Sequence, residues 1–237
     1  METRIYKTPE LLAVELAEYL IKKINNKIII GEHFNLSLSG GNTPKLFYST
    51  LARSPFKENV SWEKVDIFWG DERCVLPDDE ESNYRMTEFH LLDKVRIRQK
   101  NIHRIIGESN PALEAKRYSE EIKKIVGVDK NSLPVFDFVL LGLGEDGHTA
   151  SLFPGQNLTN VYENICGVGN KEGQLRISLT HDVICNSKDI NFLITGKEKA
   201  NVVKEIIKEH KNLPAGSIKP KDGELNWWLD QDAASLL

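Results

Sequence analysis

The 237-residue sequence predicts an α/β protein: a single domain over residues 1–237 with a largely parallel, doubly wound sheet and helices on both faces, a Rossmann-like three-layer arrangement. Three observations carry that expectation. Apolar runs of strand length alternate along the chain with apolar positions at helical spacing, the pattern of repeated β–α units. Residues 135–141 are apolar except for Asp137, as in a strand buried on both faces. Polar, glycine-rich clusters follow several strands, where open α/β sheets bind ligands. No repeat or low-complexity linker divides the chain, and its length suffices to bury a core without a metal or disulfide.

Taken in order, Thr8-Pro9 followed by Leu12, Leu16, Leu20 and Ile24 reads as a capped amphipathic helix. Residues 34–39 read as a short strand stopped by Gly40-Gly41, and Asn42-Thr43-Pro44 opens a helix through Leu51. A second strand, Val65–Trp69, ends in the polar turn Gly70-Asp71-Glu72-Arg73. Helices are expected over residues 84–92 and 111–126, the latter with apolar positions at Leu113, Tyr118, Ile122 and Ile125. Strands follow at 135–141, 175–179 and 190–195, and a last helix after Gly196 passes through Val202, Val203, Ile206 and Ile207.

The composition, 40% hydrophobic and 28% charged, is that of an ordinary globular protein. A net charge of -4 offers no general attraction to nucleic acid or an anionic membrane, so any anion must be held by a local cationic pocket. Cys74, Cys166 and Cys185 are odd in number and lack C-x-x-C spacing, which argues against a disulfide framework or zinc site and fits a reducing compartment. The stretch from Leu11 to Ile24 is interrupted by Glu15, Glu18, Lys22 and Lys23, so it is neither a signal segment nor a membrane span. A cytoplasmic protein with no cofactor, no metal and no nucleic-acid or membrane partner is expected.

Four segments carry potential chemistry. In Ser37-Leu-Ser39-Gly40-Gly41-Asn42-Thr43-Pro44, two glycines permit a tight turn and a close backbone approach, and the following helix offers free N–H groups to an anion. A plain strand-to-helix turn would look similar, and neither G-x-x-x-x-G-K-[ST] nor G-x-G-x-x-G is present, which disfavours ATP and dinucleotides. Asp71 and Arg73, two residues apart at a strand end, can face one crevice, with Arg73 forking onto phosphate and Asp71 orienting a hydroxyl or a neighbour. As isolated charges they would be a solvated ion pair. Gly142-Leu-Gly-Glu-Asp-Gly-His148-Thr-Ala-Ser-Leu-Phe-Pro154 sets one histidine among three glycines directly after the strongest strand. Asp146-Gly147 is a turn signal, yet no alternating strand follows it as in a hairpin. His148 is therefore the candidate general base, with Asp146 either orienting it or shaping the turn. His33, His90, His103, His181 and His210 lack such a setting and read as surface or satisfied structural residues. Arg176, on a short strand, and Lys197, after Thr195-Gly196, are further candidate cations; a lysine in a first helical turn opposes the helix dipole, which favours a ligand role.

Together these segments resemble the 6-phosphogluconolactonase family, within a wider group that includes glucosamine-6-phosphate deaminases. The resemblance also covers Glu81-Ser-Asn-Tyr84, Arg176-Ile-Ser-Leu-Thr180, Thr195-Gly-Lys197-Glu-Lys-Ala and Leu213-Pro-Ala-Gly, so that it spans most of the chain. It implies hydrolysis of 6-phospho-D-glucono-1,5-lactone to 6-phosphogluconate in the oxidative pentose phosphate pathway, by a monomer or weak homodimer. It implies His148 as base, with Gly40, Gly41, Asn42, Thr43, Arg73, Arg176 and Lys197 in substrate or phosphate contacts; Asp71, Asp146 and Gly147 also fall at site positions. The deaminase branch carries an acid five residues after the histidine, where this sequence has Phe153. A non-catalytic sugar-phosphate sensor would keep the pocket and dispense with the base.

Overall fold

The computed structural model describes residues 1–237. The chain opens with strand β1 (Glu2–Tyr6), helix α1 (Pro9–Ile29), β2 (Phe34–Leu38), α2 (Thr43–Leu51), β3 (Val65–Trp69), β4 (Asp71–Arg73), α3 (Asn83–His90) and α4 (Pro111–Val126). Then come β5 (Phe138–Leu141), β6 (Thr159–Tyr162), β7 (Cys166–Lys171), β8 (Gln174–Leu179), α5 (His181–Cys185) and β9 (Asp189–Ile194). Helices α6 (Ala200–Ile207) and α7 (Pro214–Ser217) and strand β10 (Glu224–Asp230) complete it.

Six strands form a parallel sheet in the order β1-β10-β9-β5-β2-β3. Strands β2, β3, β5 and β9 are buried along their whole length, as expected where helices cover both faces, and that burial includes the polar Asn35, Ser37, Asp66, Asp189 and Asn191. The order reverses between β2, whose chain continues outward to β3, and β5 on its other side. That reversal opens a crevice beyond the carboxyl ends of the strands.

Local chemistry explains the helices. Thr8 Oγ1 accepts from Leu11 N–H at the start of α1, and Leu12, Leu16, Leu20 and Ile24 are fully buried beneath it. Each such side chain contributes roughly 1.5–3 kcal/mol when removed from water. Asn110 caps α4 through Ala112 and Leu113 N–H, and Gly127 at φ 78 ends it. No helix is long and apolar enough to cross a membrane.

The structure corrects several sequence expectations. The strand expected over 135–141 begins at Phe138, because Asp137 is held at the amino end of β5 by charged partners. The helix expected over 84–92 is Asn83–His90 followed by a 3-10 turn at Leu92–Lys94. On α4, Leu113 and Ile125 are exposed, and the buried face is Glu114, Ala115, Tyr118, Ser119 and Ile122. Asp71–Arg73, expected as loop, is a strand of a second, antiparallel sheet in the order β4-β8-β7-β6. Gly70 joins the sheets: its N–H donates to Leu38 O at 2.9 Å and its carbonyl accepts from Leu179 N–H at 2.8 Å.

Buried charges at the amino ends of the parallel strands are paired. Asp66 accepts from His33 Nδ1 at 2.6 Å, Asn101 Nδ2 at 2.9 Å and His103 Nε2 at 3.3 Å. Asp137 holds Lys27 at 2.5 Å, Lys188 at 2.9 Å and Asn35 N–H at 2.8 Å. Asp189 accepts from Tyr19, Asn191 and Asn226 and pairs with Lys23.

Candidate active site

Four carboxyl-end turns converge on a cavity of about 390 Å³ in the crevice. After β2, Gly41 takes φ 91 and Asn42 begins α2 with helical backbone and no side-chain cap, so the first-turn N–H groups of this helix face their end without a capping acceptor. A Cβ on Gly40 would collide with the Asn83 amide. Asn83 in turn donates to Asp71 O at 2.9 Å, which packs the first turn against the second.

Strand alternation sorts Asp71-Glu72-Arg73 by face. Asp71 and Arg73 line the cavity. Glu72 is buried behind them, accepting from Arg73, Asn83 and Tyr84 N–H at 2.8, 2.7 and 2.8 Å. Burial pushes its carboxyl above the ordinary value although those N–H bonds pull the other way. It ties β4 to the start of α3. Asp71, itself buried, accepts from Ser151 Oγ at 2.7 Å and so links β4 to the histidine segment.

Arg73 and Arg176 stand directly opposite each other on β4 and β8. Like charges facing across strands are unfavourable, and both Nε atoms are buried without a partner. Only their outer nitrogens are engaged, Arg73 Nη1 by Glu81 O and Arg176 Nη2 by Gln174 Oε1. Burial lowers the Arg176 pKa, with Arg73 adding to the effect and Asp71 opposing it. An anion between the two guanidiniums would satisfy both.

The histidine turn is built from its glycines. Gly144 N–H donates to His148 O and Gly147 N–H to Gly144 O, both at 2.9 Å, with Gly147 at φ 83. A Cβ on Gly144 would strike His148 Nδ1. Leu213 covers Gly147, and Ala215 N–H donates to Gly147 O at 3.0 Å, which explains the Leu213-Pro-Ala-Gly segment as a clasp on the turn. Asp146 Oδ1 accepts from His148 N–H at 3.1 Å and is paired with His148 Nδ1. That bond assigns the ring proton to Nδ1 and leaves Nε2 as the free lone pair. Burial lowers the His148 pKa; Asp146 and Asp71 counteract it, and Lys171 reinforces it. The two partners differ in outcome: burial also works against the Asp146 carboxylate, yet the bonds from His148 leave Asp146 below its ordinary value. Desolvation therefore outweighs the pairing at the deeper imidazole, and His148 is neutral near pH 7.

Of the residues expected from sequence, Gly40, Gly41, Asn42, Thr43, Asp71, Arg73, His148 and Arg176 line this one cavity. Asp146 and Gly147 stand behind His148 rather than in the lining. Lys197 is not in the lining, whereas Lys199 is. Gly196 at φ 98 leads into a 3-10 turn over Lys197–Lys199, and residues two apart in such a turn project in different directions. Sequence reasoning missed Lys171, which reaches the cavity from the β7–β8 hairpin. Its only signal was the Glu172-Gly173 turn beside it. Nowhere do three or more His, Cys, Asp or Glu side chains converge as metal ligands would.

A family profile described as glucosamine-6-phosphate isomerases/6-phosphogluconolactonase matches residues 7–227. A 6-phosphogluconolactonase of Aggregatibacter actinomycetemcomitans is 42% identical over 231 residues, which cover 93% of this chain and 97% of that protein. The solved 6-phosphogluconolactonase of Trypanosoma brucei superposes with a TM-score of 0.87 at 26% identity, covering 100% of this chain and 98% of that one. A monomeric glucosamine-6-phosphate deaminase shares the fold, with a TM-score of 0.85 at 22% identity over 100% of both chains. The chain belongs to the glucosamine-6-phosphate isomerase/6-phosphogluconolactonase family.

Proposed function

We propose that the protein hydrolyses 6-phospho-D-glucono-1,5-lactone to 6-phosphogluconate, the lactonase step of the oxidative pentose phosphate pathway. The observation that carries this reading is a half-buried histidine, its Nδ1 fixed by Asp146, set in a cavity where Arg73 and Arg176 face each other with both Nε atoms buried and unpartnered. His148 Nε2 takes a proton from water as its oxygen bonds to C1. The tetrahedral intermediate then collapses, the C1–ring-oxygen bond breaks, and His148 returns the proton to that oxygen. Ala150 lines the cavity at φ 47, and its N–H makes no hydrogen bond within the protein, so it is a donor available to the oxyanion. Arg73, Arg176 and the α2 N-terminus with Gly40, Gly41, Asn42 and Thr43 hold the phosphate and hydroxyls, which positions C1 against the base. Lys199, rather than Lys197, supplies the cation of its strand end, and Asp71 orients a substrate hydroxyl.

Phe153 stands where deamination would need an acid, and a phenylalanine relays no proton, so the deaminase reading is the weaker one. We further infer a cytoplasmic monomer or weak homodimer with no nucleic-acid or membrane partner.

The test is a lactone-hydrolysis assay corrected for the spontaneous reaction. Wild type should accelerate hydrolysis, and His148→Ala should lose on the order of 10²–10⁴ of that acceleration. A wild type that binds 6-phosphogluconate without accelerating hydrolysis would instead identify a sensor. Equal rates for the two proteins would remove His148 as base.

A further inference from the structure

Phe153 takes no part in the chemistry above, yet its ring meets three of the residues that line the cavity. Its centroid lies 5.0 Å from that of His148 at an interplanar angle of 51°. Lys171 Nζ and Arg176 Cζ each lie 5.8 Å from the same centroid. The residue is 5% exposed and does not line the catalytic cavity. It lines instead a separate groove of about 680 Å³ formed with Leu152, Pro154, His181 and Leu213. The ring is thus the partition between an open surface groove and the back of the histidine.

The backbone around it is pinned. Ser151 N–H donates to Ser178 Oγ at 3.2 Å, Ser151 Oγ to Asp71 at 2.7 Å, and Leu152 N–H to Thr149 O at 2.9 Å. Gln156 N–H closes the following turn on Phe153 O at 3.2 Å. A ring held this firmly can fix its neighbours.

We propose that Phe153 is a positioning residue with two separable duties: a dry wall behind the His148 imidazole, and a shared π face on which Lys171 and Arg176 rest. Resting on the assignment of His148 as base, this predicts what each change of the ring does. The charged groups facing His148 are Asp146 from its own turn, Asp71 from β4 and Lys171 from β7. Burial is the largest influence on the imidazole and lowers its pKa. Phe153→Ala opens the partition, admits water and frees Lys171, and both changes favour the imidazolium. Phe153→Leu keeps an apolar wall and removes only the π face.

The experiment follows the His148 imidazole resonance by NMR titration and the pH profile of kcat/KM in both variants. Phe153→Ala should raise the His148 pKa and move the acid limb of the profile upward by about half a unit or more. Phe153→Leu should keep the wild-type limb and raise KM about two- to fivefold with little change in kcat. A Phe153→Ala protein titrating with wild type would overturn the wall, and an unchanged KM in Phe153→Leu would overturn the π face. Should the alanine variant fail to fold, the leucine variant still decides the second duty, and Phe153→Val with NMR titration decides the first. A wild type without lactonase activity would refute the functional reading, while the NMR titration would still decide the wall.

Discussion

At the amino ends of the parallel strands, Asp66, Asp137 and Asp189 are buried, and each carboxylate meets at least two side-chain partners. At the carboxyl ends, Arg73 and Arg176 are set against each other with Nε atoms buried and unpartnered. Both ends desolvate charge, and at the carboxyl end the Asp71 and Glu72 carboxylates are partnered while the two guanidinium Nε atoms are not. Buried charge alone therefore says little about function, since the amino-end networks fix strand ends. Unsatisfied charge at a switch in strand order marks where a ligand completes the structure.

Breaking the satisfied end should cost the most stability. Asp137→Ala leaves Lys27, whose side chain is only 16% exposed, with the exposed Glu32 carboxylate at 3.7 Å as its one remaining partner, and leaves Asn35 N–H without its acceptor. Removing one partner of a buried pair costs about 3–5 kcal/mol. Chemical denaturation should show a loss of that order, while kcat/KM per folded molecule stays at the wild-type value. A loss of activity without a loss of stability would erase the distinction between the ends.

A smaller effect is expected from pH. His103 is buried between Asp66 and Glu121; burial opposes its charge, but the two carboxylates prevail and raise its pKa to about 8. A pKa raised on folding gives stability that is fully present below the unfolded value, about 6.5, and is lost as pH rises through about 8. The contribution is at most about 2 kcal/mol. Wild type should therefore lose stability between about pH 6 and about pH 9, and His103→Gln should flatten that dependence. His181, whose pKa is pushed up to about 9 by its contact with Cys185 despite partial burial, adds a slope that the variant retains. An unchanged slope in His103→Gln would exclude His103 as the source.

How much of this was legible in the sequence follows the same division. Strand β5 announced itself because burial on both faces fills it with Phe138, Val139, Leu140 and Leu141, while β2, β3 and β9 kept enough apolar residues around the buried Asn35, Ser37, Asp66 and Asn191 to be read as strands. Strand β10 did not, since Asn226 interrupts it, its amide satisfied by Asp189 across the sheet and by Tyr19 Oη. Strands β1, β6 and β7 carry charged, polar or glycine residues that gain a strand's partners only through long-range pairing. The histidine turn was readable because its glycines are local requirements of one conformation. The facing of Arg73 and Arg176, the arrival of Lys171 and the clasp of Ala215 on Gly147 were not, because each joins residues far apart in the chain.

The division between the ends is tested most directly by one variant measured in two ways, Arg176→Met in denaturation and in lactone hydrolysis. Replacing a desolvated cation that opposes Arg73 with an apolar chain of similar reach should leave stability unchanged or raised. The same change should lower kcat/KM by about 10- to 100-fold, mainly through KM, as loss of a charge-assisted contact to an anionic substrate does. A variant destabilised as strongly as Asp137→Ala, with wild-type kinetics per folded molecule, would contradict the account: Arg176 would then be a structural charge like those at the other end of the sheet.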